Sequence, residues 1–147
     1  MSSADRWSDP VVAEQILRSC RVWAVVGCSS RPWRASHGVS RYLLSQGYGV
    51  VPINPNEDEV HGQRAYPDLA SVPDDIRSTI DVVDMFRRST AVRRHVEEAI
   101  EIGAKAIWTQ LDVWDEGAAE LAAAAGLTVV MDRCPAIDHP AMVGAAQ

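Results

Sequence analysis

Cysteine is scarce in this chain. Of 147 residues only Cys20, Cys28 and Cys134 carry a thiol. The number is odd, the three are far apart, and they match no metal-ligand spacing, so neither a disulfide framework nor a thiolate metal site is expected. Free thiols of this kind fit a reducing cytoplasm. Long apolar runs are lacking too, and no stretch suffices to span a bilayer. The first ten residues contain Asp5 and Asp9 without an apolar core, which argues against a signal peptide. Positive charge is not in excess. The formal net charge is −6, which speaks against general nucleic-acid binding, since that rests on a basic surface. A local cluster of arginines can still hold a small anion. No internal repeat or low-complexity linker breaks the chain.

The apolar fraction is 47%, ordinary for a globular domain. A chain of this length is one domain, able to bury about 68–70% of its unfolded surface without a staple. Residues 8–140 are expected to form it, between flexible termini at 1–7 and 141–147.

The stretch from Val22 to Leu44 organises the rest. An apolar run, Val22 to Val26, leads into a small-residue turn, Gly27-Cys28-Ser29-Ser30, then a basic loop from Arg31 to Arg34, then an amphipathic helix. A near-continuous apolar strand suits a sheet buried on both faces. A strand turning through glycine into a helix offers main-chain N–H groups and the positive end of a helix dipole, a place for phosphate. On this reading a branched side chain at Gly27 would fill the phosphate's space and leave the sheet folded.

The alternation continues along the chain. Asp9 and Pro10 start a helix. Gly49 to Ile53 is a second strand, stopped by Asn54-Pro55-Asn56; Ile80 to Phe86 is a third. Ser89 or Thr90 caps a helix carrying Val92, Val96 and Ile100 and ending at Gly103. Ala104 to Thr109 and Leu127 to Met131 are further strands, around a helix from Asp115 to Gly126. After Asp132 the tail reads as turns around Pro135 and Pro140. Strand and helix in strict alternation imply an α/β fold: a single Rossmann-like, doubly wound, mostly parallel sheet with helices on both faces and the first strand central. The apolar segment Ala104–Trp108, read as an edge, leaves a homodimer open.

Ligands of such sheets bind beyond the carboxyl ends of the strands. Three of the five ends carry arginine: Arg31 and Arg34, then Arg87 and Arg88, then Arg133. Converging guanidinium groups would match phosphate oxygens in pairs. A dinucleotide turn would read G-x-G-x-x-G, followed by an acid after the second strand. Here only Gly27 matches, Ser29 replaces the second glycine, and Asn54 and Pro55 stand where the acid would be. Those departures weigh against NAD.

The segments AVVGCSSRPWRASHGVSRYLLSQGYGVVPINP, DVVDMFRRS, GAKAIWTQLDV and GLTVVMDRCPAIDHP together resemble the small single-domain CoA-binding proteins, relatives of the nucleotide-binding domain of the succinyl-CoA synthetase alpha subunit. The resemblance spans about Val22 to Pro140. It implies coenzyme A at the carboxyl edge, with phosphates on Gly27, Cys28, Ser29 and Ser30. It also implies that Pro52, Asn54, Pro55, Phe86 and Arg87 flank the adenosine, and that Gln110 and Arg133 lie near the pantetheine. Trp33 is a local departure, more suited to surface or packing than to stacking on a base.

Nothing in the sequence assembles a catalytic centre. His37 beside the turn reads as a packing or capping residue. His139 lies near Cys134, but no oxyanion site or third partner accompanies the pair. The resemblance covers the synthetase's nucleotide-binding domain, and no counterpart of its phosphohistidine domain is expected. The expectation is a non-catalytic binder of CoA or a short acyl-CoA. The alternatives are a small NAD(P)-dependent or hydrolytic enzyme, an interaction protein with a vestigial site, or a redox sensor forming a mixed disulfide with CoA through Cys28 or Cys134.

Overall fold

The computed structural model describes residues 2–144. Its elements are α1 (Ser3–Trp7), α2 (Pro10–Ser19), β1 (Val22–Val26), α3 (Ala35–Ser45), β2 (Gly49–Ile53), a hairpin of β3 (Glu59–Val60) and β4 (Gln63–Arg64), α4 (Asp74–Arg77), β5 (Val82–Met85), a 3-10 turn at Ser89–Ala91, α5 (Val92–Ile102), β6 (Ala106–Thr109), α6 (Glu116–Ala124), β7 (Thr128–Val130) and α7 (Pro135–Met142). Local chemistry sets many of the boundaries. Asp9 accepts the Val11 N–H and Pro10 opens α2; Asp115 accepts the Ala118 N–H to start α6. Gly103 closes α5 with φ at 75°, a left-handed conformation that costs glycine nothing.

The five long strands form one parallel sheet in the order β2-β1-β5-β6-β7. The fold is therefore the expected doubly wound α/β sheet, with one correction. The middle strand is β5, not β1. The chain leaves β1 toward β2 on one side and leaves β5 toward β6 on the other, so the switch point lies between β1 and β5. The Ala104–Trp108 segment is likewise not an edge: β6 pairs with both β5 and β7. That removes the ground on which the sequence left dimerisation open.

Successive strand residues point to opposite faces, and both faces are buried. Ala24, Val26, Val83, Met85 and Ile107 pack with residues of α5 and α6. Trp23, Val25, Val82 and Trp108 pack with Ile16 and Leu17 of α2 and Val39 and Leu43 of α3. The Trp23 and Trp108 rings are fully buried, with centroids 5.4 Å apart, and give that face its largest apolar area.

Both ends of the chain depart from the expectation of flexible termini. Residues 3–7 are a helix started by a Ser2–Asp5 capping box, and Trp7 is buried in the core. The tail folds as α7 through Met142, because Pro135 in a first helical position needs no N–H partner. Arg133 on Asp138 and Tyr42 on His139 then pin the helix to the body. Met1 and residues 145–147, also expected to be flexible, lie outside the described residues.

Candidate functional site

The carboxyl ends of β1, β2, β5 and β6 open into one cleft of about 890 Å³, large enough for a cofactor. Four connections meet there because the chain reverses direction at the switch point. Ten of the thirteen residues singled out in the sequence line it: Gly27, Ser29, Ser30, Arg31, Arg34, Asn54, Pro55, Phe86, Arg87 and Gln110.

Three do not. Pro52 is buried inside β2, paired with Val25, one step short of the turn. Arg133 faces elsewhere: its guanidinium clasps Asp138, with Nε 2.7 Å from Oδ2, and donates to the Ser8 carbonyl. Cys28 turns its thiol into the core, fully buried, where Sγ donates to Ser40 Oγ at 3.5 Å. Burial pushes that thiol up to about 11, so it is neutral near pH 7 and a poor nucleophile. Cys134 is nearly as buried and also raised by burial. Neither thiol is presented to the cleft for a disulfide with CoA.

The first turn is tied down more tightly than its sequence suggests. The Gly27 N–H donates to the Ile53 carbonyl at 2.8 Å and so belongs to the sheet. The Ser29 N–H donates to Ser36 Oγ, and the Arg31 N–H to Ser29 Oγ. The Ser30 N–H and hydroxyl both donate to the Glu57 carboxylate. Asn54 braces two loops, giving Nδ2 to the Cys28 carbonyl and accepting the Asn56 N–H on Oδ1. Gly27 has φ at 85°, and a Cβ there would lie 2.6 Å from the Phe86 carbonyl oxygen. A side chain at 27 thus collides with β5's exit before it meets any ligand. The expectation that the sheet would tolerate valine there is overturned.

Charge is concentrated on the rim. Arg31, Arg34, Arg87, Arg88 and Arg94 all line the cleft, and none forms an ion pair among the described residues. Glu57, Asp68 and Glu98 are the acids beside them. The N terminus of α3, whose Arg34 cap makes no side-chain hydrogen bond, opens on the same space and adds the positive end of its dipole.

Beneath the rim lies a buried pair. Asp84 of the central strand has no exposed surface and accepts Gln110 Nε2 on Oδ1 at 2.9 Å, while its Oδ2 has no partner among the described residues. Burial raises its carboxyl to about 7, against the pull of the Gln110 hydrogen bond. On the far wall, His95 Nδ1 lies 2.6 Å from Glu98 Oε1, and its buried Nε2 has no partner among the described residues. Burial holds His95 below its usual value, Glu98 opposes that, and Arg87 and Arg94 reinforce it. His37 stacks on His61 outside the cleft, with centroids 4.3 Å apart, and His139 pairs with the Tyr42 hydroxyl at 2.7 Å. Both are packing residues in this structure. Trp33 is 76% exposed and does not line the cleft.

Sequence reasoning missed Arg94, His95 and Glu98 as a group. Their signal was available: positions 94, 95 and 98 share one polar face of the helix that follows the third strand. Glu57 left no signal, because its partner lies 27 residues away in another loop.

A family model described as "CoA binding domain" matches residues 21–140. The uncharacterized protein YneT of Bacillus subtilis (strain 168) is 38% identical over 128 residues, which are 87% of this chain and 91% of that protein. Among solved structures, Prb, a PH1109 protein redesigned for binding, is 38% identical with a TM-score of 0.85. A hypothetical protein from Pyrococcus horikoshii OT3 is 36% identical with a TM-score of 0.84. Each alignment covers 92% of both chains. No helix is long and apolar enough to cross a membrane among the described residues. The sheet order, the cleft at its switch point and the match over most of the length agree: the chain belongs to the CoA binding domain family.

Proposed function

We propose that this protein binds coenzyme A, or a short acyl-CoA, in the cleft, and performs no reaction on it alone. One observation carries the reading: five arginines that form no ion pair among the described residues line a single cleft of a protein whose net charge is −6. Guanidinium forks grip phosphate oxygens in pairs, and CoA offers both a pyrophosphate and a separate 3′-phosphate. The pyrophosphate lies by the turn after β1 and the N terminus of α3. The adenosine sits between Asn54–Pro55 and Phe86–Arg87, and the pantetheine runs toward Gln110 and Leu111. Membership of the family supports the assignment.

The absence of a reaction rests on the state of the candidate groups. The Cys28 thiol is buried and neutral, and His95 keeps its unpaired nitrogen inside the wall. Three free cysteines, all buried, fit a place in the cytoplasm. Titration calorimetry against CoA, dephospho-CoA, NAD and ATP tests the assignment. CoA should bind tightest, and loss of the 3′-phosphate should weaken binding about tenfold, the loss of one charge-assisted contact. Equal affinity for CoA and dephospho-CoA overturns it.

A further inference from the structure

We propose that Glu57 is the internal occupant of an anion subsite, and that it admits only ligands whose phosphate can take the place of its carboxylate on Ser30. The inference rests on the nucleotide reading above and concerns what controls entry to that site.

Ser30 presents two donors side by side, its N–H and its hydroxyl, and each meets one oxygen of the same carboxylate; the Oγ to Oε1 distance is 2.8 Å. Two donors on two oxygens of one anion is also the grip a phosphate takes. The carboxylate reaches Ser30 from the polar loop after β2 and forms no ion pair among the described residues. It is held by the Ser30 amide and hydroxyl, and more distantly by Arg31, and these lower its carboxyl from the usual value. The Gly27, Ser29 and Arg31 amides are committed to the sheet, to the buried Ser36 and to the turn itself. Ser30 is thus a main-chain and hydroxyl donor pair whose acceptor is a half-buried side chain on a polar loop rather than part of the sheet.

An incoming phosphate cannot share the subsite with a carboxylate, since like charges a few ångströms apart repel. Glu57 must leave. A ligand that lacks a phosphate at this point offers Ser30 nothing better than Glu57 already does. The carboxylate therefore sets a charge threshold: it weakens binding of every ligand and rejects those without phosphate at that position.

Calorimetry with CoA and with inorganic pyrophosphate as probes tests this on wild type, Glu57→Gln, Asp58→Asn and the double variant Ser30→Ala/Glu57→Gln. Asp58 is exposed, adjacent in the loop and outside the cleft lining, so its variant measures the general effect of losing one charge. Glu57→Gln should tighten both probes roughly tenfold, the scale of displacing a charged hydrogen-bonded group. Asp58→Asn should change them less than about twofold, because exposed charges at a distance are screened. Adding Ser30→Ala should cancel the gain. Equal gains in Glu57→Gln and Asp58→Asn overturn the proposal, as does no change. Weaker CoA binding by Glu57→Gln overturns it as well, and makes Glu57 a contact for ligand hydroxyls. If pyrophosphate tightens while CoA binds neither protein, the subsite stands and the CoA reading falls. If CoA binds wild type and Glu57→Gln alike, the reverse holds. If neither probe binds any variant, both fall.

Discussion

The two edges of the sheet are finished differently. At the amino edge, Asp81 ties three strands together. Its Oδ2 accepts the Arg21 and Val22 N–H groups at 2.9 and 3.1 Å, and its Oδ1 lies 3.1 Å from Lys105 Nζ. Burial alone would raise this carboxyl, but the two amides and Lys105 outweigh it and hold it low. At the carboxyl edge, five arginines lack ion pairs among the described residues, a helix N terminus is uncapped by its own side chain, and a buried carboxylate keeps one oxygen unpaired. One edge closes on itself. The other carries cations without ion pairs among the described residues, and on the function proposed above the difference separates residues that hold the fold from residues that hold a ligand.

The sharpest attempt to break that separation is Gly27→Val. Gly27 lies at the ligand edge yet is required by the fold, through its φ of 85° and the Phe86 carbonyl 2.6 Å from any Cβ. The variant should lose more than about 3 kcal/mol of stability, combining left-handed strain with backbone overlap. Circular dichroism melting checks it; a native melting curve would return Gly27 to the ligand's account alone.

Next in size is Asp84. Its folded value of about 7 exceeds the ordinary carboxyl value of 3.8. The folded state therefore holds a proton that the unfolded state has released between those values. The stability this provides is full below about pH 4 and is lost as pH rises toward 7, by about 4 kcal/mol at most. Asp84→Asn should flatten the slope of stability between those limits, measured by urea denaturation across pH. An unchanged slope would mean that Asp84 does not titrate between those limits, and would overturn its raised value.

Asp81→Ala should cost about 1–2 kcal/mol, since it strips two main-chain donors of their acceptor, and should leave CoA affinity alone. Its depressed carboxyl also predicts that this stabilisation is lost as pH falls through and below about 4. Arg87→Ala should do the opposite. Melting temperature should stay level, because no ion pair is broken, while CoA affinity falls about tenfold and grows less sensitive to salt. A drop in stability for Arg87→Ala, or in affinity for Asp81→Ala, would blur the two edges into one.

Much of the fold was legible because its signals are local. Apolar runs of the length of Val22–Val26 mark buried parallel strands, and Asp9, Asp115 and Gly103 mark helix ends through hydrogen bonds and backbone angles that reach only a few residues. Trp7 and α7 were misread for the complementary reason. Trp7 belongs to the core through α6, and Pro135 and Pro140 read as turns until Asp138 and His139 find partners at Arg133 and Tyr42. Within the site, nearness to a strand end gave the right neighbourhood but not the direction of a side chain. Cys28 and Arg133 sit at strand ends and point away; Arg94 sits a helical turn further on and lines the cleft.

From its sequence alone this chain is an alternating α/β protein, with a small-residue turn after the first strand and arginines clustered at strand ends. Periodicity and capping act over a few residues, and any reader of the sequence has them in full. Only the tertiary structure placed β5 in the middle of the sheet, brought four strand ends around one cleft and set Glu57 on Ser30. Strand order and loop-to-loop contacts are fixed by pairing between residues far apart in the chain, and local pattern carries no record of them.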